Sequence, residues 1–169
     1  MKFSVSDAQK RAGDFFPILI QEELEPDDYA GRRIVFMKPA YIEGSYTFDG
    51  KAFHVSAEAE VAYETECARC TKKFVETLQF PINETFVRDI VWNEDDDSYS
   101  YTSEQIDLRQ AFYDNLYLHL PIISLCKSDC KGLCPKCGRD LNEGACDCQS
   151  DYSGPFGALK TLLNENKEV

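Results

Sequence analysis

Alternation with a period of two dominates the middle of the chain. From Phe53 to Thr65, the residues Phe53, Val55, Ala57, Ala59, Val61 and Tyr63 fall on one side and His54, Ser56, Glu58 and Glu60 on the other. That pattern predicts a strand with one face in a core and one in water. Residues 40–48 alternate aromatic and polar positions, and Asp49-Gly50 between the two runs predicts a hairpin turn. Ile34-Val35-Phe36-Met37 ahead of Pro39 predicts another strand, and residues 2–6 a short one. Residues 74–87 alternate less cleanly, with Pro81 expected at a break or an edge. The rest of residues 1–30 predicts a short helix or turn and an acidic segment over 22–28.

Further on, the period lengthens. Ile106, Leu108, Ala111, Phe112, Asn115, Leu116 and His119 recur near helical spacing, which predicts a helix over 103–120, stopped by Pro121. Pro155 can open a last helix over 156–163. Between strands and helix, residues 93–103 with Glu94, Asp95, Asp96 and Asp97 predict a mobile acidic loop. It lacks the spaced ligands and glycine of a calcium loop. The expected class is α+β, an antiparallel sheet with one main helix, a metal-binding cysteine-rich segment and a short C-terminal helix. Residues 1–125 are expected to form a β-rich domain with the helix near 104–119. Residues 126–169 would form the cysteine-rich segment and final helix, packed on the same domain.

Composition sharpens this picture in two ways. The net charge of −12 repels phosphate backbones at long range and suits a basic protein partner, although solubility alone accounts for it equally well. No segment approaches the ~20 apolar residues of a membrane span, and the early apolar run 15–20 is interrupted by Pro17. With no export signal expected, the chain should work in the reducing cytoplasm, where stable disulfides are rare. The eight cysteines therefore call for another explanation.

Two of them form Cys67-Ala68-Arg69-Cys70, where a strand should end, and six crowd into Cys126, Cys130, Cys134, Cys137, Cys146 and Cys148. A Cys-x-x-Cys turn brings two sulfurs onto one ion while backbone N–H groups donate to the thiolates. Gly138 should ease one such turn, and Lys72 and Lys73 should offset thiolate charge. Eight thiolates at four per ion predict two structural zinc ions. One division places Cys134, Cys137, Cys146 and Cys148 on one ion and Cys67, Cys70, Cys126 and Cys130 on the other. The rival groups Cys126, Cys130, Cys134 and Cys137, leaving Cys67, Cys70, Cys146 and Cys148. The first is preferred because compact sites tend to close locally. An iron–sulfur cluster uses the same ligands. A thiol redox pair is disfavoured, since neither pair opens a helix in a βαβ setting.

His54 and His119 stand apart from the cysteines, and no phosphate loop, nucleophile elbow or H-E-x-x-H occurs. A non-catalytic protein is expected.

Several of these residues carry a resemblance. Cys67-Ala-Arg-Cys70, the run Ile106-Asp-Leu-Arg-Gln-Ala-Phe ending at Leu120-Pro121, and Cys130-Lys-Gly-Leu-Cys134-Pro-Lys-Cys137-Gly with Leu141-Asn142 and Cys146-Asp-Cys148 resemble the YceD family. The closing Gly157-Ala-Leu-Lys-Thr-Leu-Leu is similar to the family's terminal helix. The resemblance covers roughly residues 34–165 and implies a role in making or keeping large-subunit ribosomal RNA, in bacteria or plastids, with no catalytic residues to carry over. The expected partner is then a ribosomal protein or ribosome-assembly factor. Direct contact with ribosomal RNA through Lys127, Lys131, Lys136 and Arg139 is the alternative. Those four positive charges meet Asp129, Asp140, Glu143 and Asp147, and each Cys₄–zinc centre adds a formal −2, so the protein partner is preferred.

Overall fold

The strand with the cleanest alternation is the spine of the sheet. The computed structural model describes residues 1–29, 31–88, 98–102 and 104–148, with the side chain of Arg32 outside the description. Among these, the elements are β1 (Lys2–Ser4), α1 (Ser6–Lys10), β2 (Phe15–Glu22), β3 (Asp27–Tyr29), β4 (Arg32–Phe36) and β5 (Ala40–Phe48). There follow β6 (Ala52–Glu66), β7 (Lys73–Arg88), β8 (Tyr99–Tyr101), β9 (Gln105–Asp107) and α2 (Arg109–His119). The architecture is mostly antiparallel sheet with few helices, an α+β arrangement.

One edge of β6 is shared by β5, from Tyr41↔Glu60 to Phe48↔Phe53, and by β4 at Val35↔Glu64 and Phe36↔Tyr63. β7 covers the other edge along its length, and β2 and β3 lie outside β5 and β4. Among the described strands only β8 runs parallel to its neighbour, β7. The predicted turn closes β5 onto β6. Gly50 has φ +97°, and the Asp49 carboxylate accepts the N–H groups of Lys51 (2.7 Å) and Ala52 (2.8 Å).

The core fills one face of the sheet. Phe53, Val55, Ala57, Ala59, Val61 and Tyr63 are all buried there, in one core with Ala111, Phe112 and Leu116 of α2, which packs against β7. The Phe80 and Phe112 rings meet at 5.5 Å. Among the described residues the other face is open, with His54, Ser56, Glu58 and Glu60 exposed, as antiparallel sheets allow. Across it Leu19, Glu43, Glu58 and Pro81 lie in register, so two carboxylates stand directly opposite each other on β5 and β6.

Several expectations change. The run at 15–20 is a strand despite Pro17, because β2 pairs only with β5 and Pro17 sits on an edge strand. Pro81 makes no break: β7 passes straight through it opposite Glu58, and its free side is an open edge at that point. The helix begins at Arg109, not 103. Ile106 and Leu108 are buried with Gln105 and Asp107 exposed between them, a period of two that pairs β9 with β1. Within the predicted loop, residues 99–101 form β8. Glu94 to Asp97 and the final helix at 156–163 lie outside the described residues.

Candidate metal centre

The long β6–β7 hairpin carries the first two cysteines at its tip. After Glu66 the chain turns through Cys67 and Cys70, with Cys67 N–H donating to Lys72 O (2.9 Å) and Thr71 N–H to Cys67 O (2.9 Å). The exit from α2 is drawn to the same place. Leu120 N–H closes the helix on Leu116 O, and buried Ser124 donates its hydroxyl to Glu76 (2.7 Å). Ala68 N–H then donates to Ser124 O (2.9 Å), which delivers Cys126 and Cys130 against the 67–70 turn.

The sulfurs converge. Cys67 and Cys130 are 3.7 Å apart, and Cys70 and Cys126 are 3.6 Å apart. An ion held at the ~2.3 Å of a zinc–thiolate bond needs tetrahedral S···S edges of about 3.8 Å, so this donor set fits one, whereas a disulfide would bring sulfurs to ~2 Å. Cys67, Cys70 and Cys130 form a small apolar cluster with Phe74, Leu125 and Cys126 around them.

The other four cysteines form a second group, Cys134, Cys137, Cys146 and Cys148. Among the described residues these are the two groups whose ligand atoms lie within 4.8 Å of one another, and they follow the first of the two divisions above. The second is built on a knuckle in which Leu133 and Asp140 bridge. Cys134 N–H donates to Arg139 O (2.8 Å) and Gly138 N–H to Cys134 O (2.9 Å). Gly138 has φ +71°, which a side chain would resist.

The thiols are electrostatically unequal. Backbone N–H groups of Cys126, Arg69 and Cys70 lower the Cys67 thiol to about 6, and those of Cys137 and Lys136 do the same for Cys134, to about 6. Burial pushes Cys126 up to about 12, and contact with Cys137 raises Cys148 to about 12. A cation is what would stabilise four thiolates together in either group.

Lys72 and Lys73 do not face the thiolates as expected. Lys72 pairs with Asp140 and Glu143, each at 2.8 Å, and Lys73 with Glu64 at 2.8 Å. Lys72 therefore ties the first turn to the second knuckle, and its contact holds the Asp140 carboxyl down at about 2. Other ties were not anticipated. Leu133 N–H donates to Arg69 O (3.0 Å), Arg69 Nη1 to Cys130 O (2.7 Å), and Asn142 Nδ2 to Cys130 Sγ (3.4 Å). Gly132, at φ +76°, lies so close that a Cβ there would sit 2.9 Å from Arg69 O. Its place between two cysteines was the available signal.

Lys127, Lys131, Lys136 and Arg139 are all exposed. Lys127 lies 3.9 Å from Asp129, and Arg139 donates to Ala145 O at 3.2 Å. The histidines are apart from both sulfur groups: His54 bridges Asp49 (2.9 Å) and Thr85 (3.2 Å), and His119 stacks on Phe80. No described helix is long and apolar enough to cross a membrane.

Comparison with known proteins meets this geometry. A family model described as "Large ribosomal RNA subunit accumulation protein YceD" matches residues 55–163, a span that takes in all eight cysteines. A protein of Arabidopsis thaliana called "Large ribosomal RNA subunit accumulation protein YCED homolog 1, chloroplastic" is 32% identical over 82 residues, 45% of this chain and 26% of that one. An uncharacterised protein of Mycobacterium bovis is 36% identical over 80 residues, 45% of this chain and 39% of its own. One of Mycobacterium leprae is 33% identical over 81 residues, 46% of this chain and 37% of its own. The chain thus spans between 26% and 39% of the length of these relatives. No solved structure matches significantly.

Proposed function

We propose, because this chain belongs to the YceD family, that it is a ribosome-biogenesis factor supporting accumulation or processing of large-subunit ribosomal RNA. It acts as a non-catalytic binding protein held in shape by two zinc ions. The observation that carries the zinc part is the 3.6–3.7 Å spacing of four converging sulfurs, matched to a tetrahedral ion. Cys67, Cys70, Cys126 and Cys130 hold one ion, and Cys134, Cys137, Cys146 and Cys148 the other. Within the segment 126–169, the described part, 126–148, thereby packs on the domain formed by 1–125.

The partner is a basic ribosomal protein or assembly factor, met in the cytoplasm. What supports this is the net charge of −12 together with an open sheet face that carries Glu43, Glu58 and Glu60. A second reading has ribosomal RNA held directly by Lys127, Lys131, Lys136 and Arg139, favoured by the exposure of all four on the cysteine-rich segment. Removing the chain from its cell should lower large-subunit ribosomal RNA relative to small-subunit RNA, with rescue by the wild type. Unchanged RNA ratios would overturn the role. Affinity capture after nuclease treatment separates the partners. A ribosomal protein retained without RNA supports the first reading. Loss of all ribosomal material, with binding of purified RNA fragments abolished by Lys131→Gln, Lys136→Gln and Arg139→Gln, supports the second.

A further inference from the structure

The two sulfur groups are not equally sheltered. In the first, Cys67, Cys70 and Cys130 are 1–3% exposed and only Cys126 is intermediate. In the second, Cys134 is buried but Cys137 and Cys148 are exposed, and the Cys148 thiol is hydrogen-bonded to Cys137. A thiolate is oxidised when the oxidant can reach its sulfur, so access decides which of two chemically similar groups reacts.

The groups also differ in what depends on them. The knuckle is held by contacts that need no ion: Leu133 N–H to Arg69 O and the Lys72–Asp140 pair dock it, and Leu141 N–H to Gly132 O and Lys131 N–H to Asn142 Oδ1 close it on itself. The first group sits instead at the junction between the tip of the β6–β7 hairpin and the exit of α2, where the thiol pairs add to the Ala68–Ser124 and Arg69–Cys130 hydrogen bonds. The second ion can therefore leave without undoing the sheet.

We propose that the second group is a peroxide-sensitive site, at which Cys137 and Cys148 join in a disulfide and the bound ion is released, while the first group stays reduced and loaded. This rests on the two-ion reading above. One exposed thiolate attacks a peroxide oxygen; the O–O bond breaks, and the departing hydroxide takes up a proton, leaving a sulfenic acid. The other thiolate attacks that sulfur, the S–S bond forms, the S–O bond breaks, and a second proton converts the leaving hydroxide to water. Hydrogen peroxide is reduced by two electrons to two waters, and the sulfur pair is oxidised by the same two. With half its thiolates gone, the ion departs as a divalent cation. A thiol reductant with zinc restores the starting state.

The test uses the full chain with its metal, whose zinc content is measured first. Hydrogen peroxide is then added stepwise in the presence of a chromogenic zinc chelator. The expected result is release of one equivalent of zinc, an intact mass lower by two hydrogens, and a non-reducing peptide map linking Cys137 to Cys148. Cys67, Cys70, Cys126 and Cys130 should stay protected from alkylation until the chain is denatured. A chain that starts with fewer than two ions overturns the two-ion reading and this inference with it. A chain that starts with two and then loses neither, or both together, or forms its first disulfide elsewhere, overturns this inference alone. In Cys148→Ser, Cys137 should instead gain a single oxygen that a sulfenic-acid trap captures. Formation of an intramolecular disulfide in that variant, at the wild-type rate, would overturn the assignment to Cys137 and Cys148.

Discussion

Gly132 shows how much a single position can decide. It adopts a left-handed backbone at φ +76°, and the space a Cβ would need is taken by the carbonyl of Arg69. Gly132→Ala should cost about 1–3 kcal/mol, from the strained backbone and the displaced carbonyl together. Urea unfolding would measure the loss, and hydrogen exchange should show Leu133 and Leu141 opening first, since the Leu133 N–H docks on Arg69 O and the Leu141 N–H is held by Gly132 O itself. Asp49 works differently. Its carboxylate caps the β5–β6 turn, and the N–H groups of Ala52 and Lys51 with His54 hold its pKa well below the usual carboxylate range. Such a group adds stability above its unfolded pKa of about 3.9 and loses it only as pH falls from there toward the lowered folded value. Asp49→Ala should therefore destabilise the protein near neutrality, and the gap from wild type should close progressively in acid below about pH 4. A gap that stayed constant down to the lowest pH at which the chain is folded would contradict that account.

At the scale of elements, the first sulfur group joins parts that are far apart in the chain. Cys67→Ala should reduce zinc from two ions to one and loosen residues 120–130, because the Ala68–Ser124 and Arg69–Cys130 hydrogen bonds are then left to hold that exit to the 67–70 turn. The knuckle at 133–140 should keep its ion and its protection; if exchange showed the knuckle opening first, the grouping would be wrong. Sequence made the central strands legible because burial on one face imposes a period of two, and the Asp49-Gly50 turn has its own chemistry. It also made legible that the cysteines gather in fours. It failed where one stretch satisfies two periods. Ile106 and Leu108 fit the helical series of Ala111 and Phe112, yet pairing with β1 uses them as a strand. Pro17 misled for a related reason, since a proline is tolerated wherever the ladder on its side is vacant, and of the break or edge expected at Pro81 the structure has the edge. The docking role of Lys72 was hidden because Asp140 and Glu143 lie far along the chain.

Over the whole molecule, charge is distributed against local stability. Glu43 faces Glu58 across the β5–β6 ladder on the open face, while Leu19 beside Glu43 is 69% exposed. Like charges directly opposite weaken a sheet by roughly 0.2–1 kcal/mol. Replacing both by Gln should raise the unfolding midpoint while weakening association with a basic protein partner. The weakening should be greatest at low salt, where exposed charges are least screened. Stabilisation without any loss of binding would remove this face from the partner's footprint and leave the acidic residues 94–97, outside the described structure, as the remaining candidate.

The separation of the cysteines along the chain also sets an order of assembly. The sulfur pairs of the first group bridge 56 and 63 residues, whereas the second group closes within 134–148. Closing a loop about four times longer costs an unfolded chain only about 1 kcal/mol more, but the longer one also has β7 and α2 to thread between its ends. The compact group can capture its ion as a nascent segment, before any sheet exists. The distant group can close only when the β6–β7 hairpin and α2 have already formed and met. Metal uptake during refolding should therefore proceed in two kinetic phases, a fast one insensitive to mutations in the sheet and a slow one that follows the appearance of β-structure. The slow ion would act as a latch that records completion of the fold.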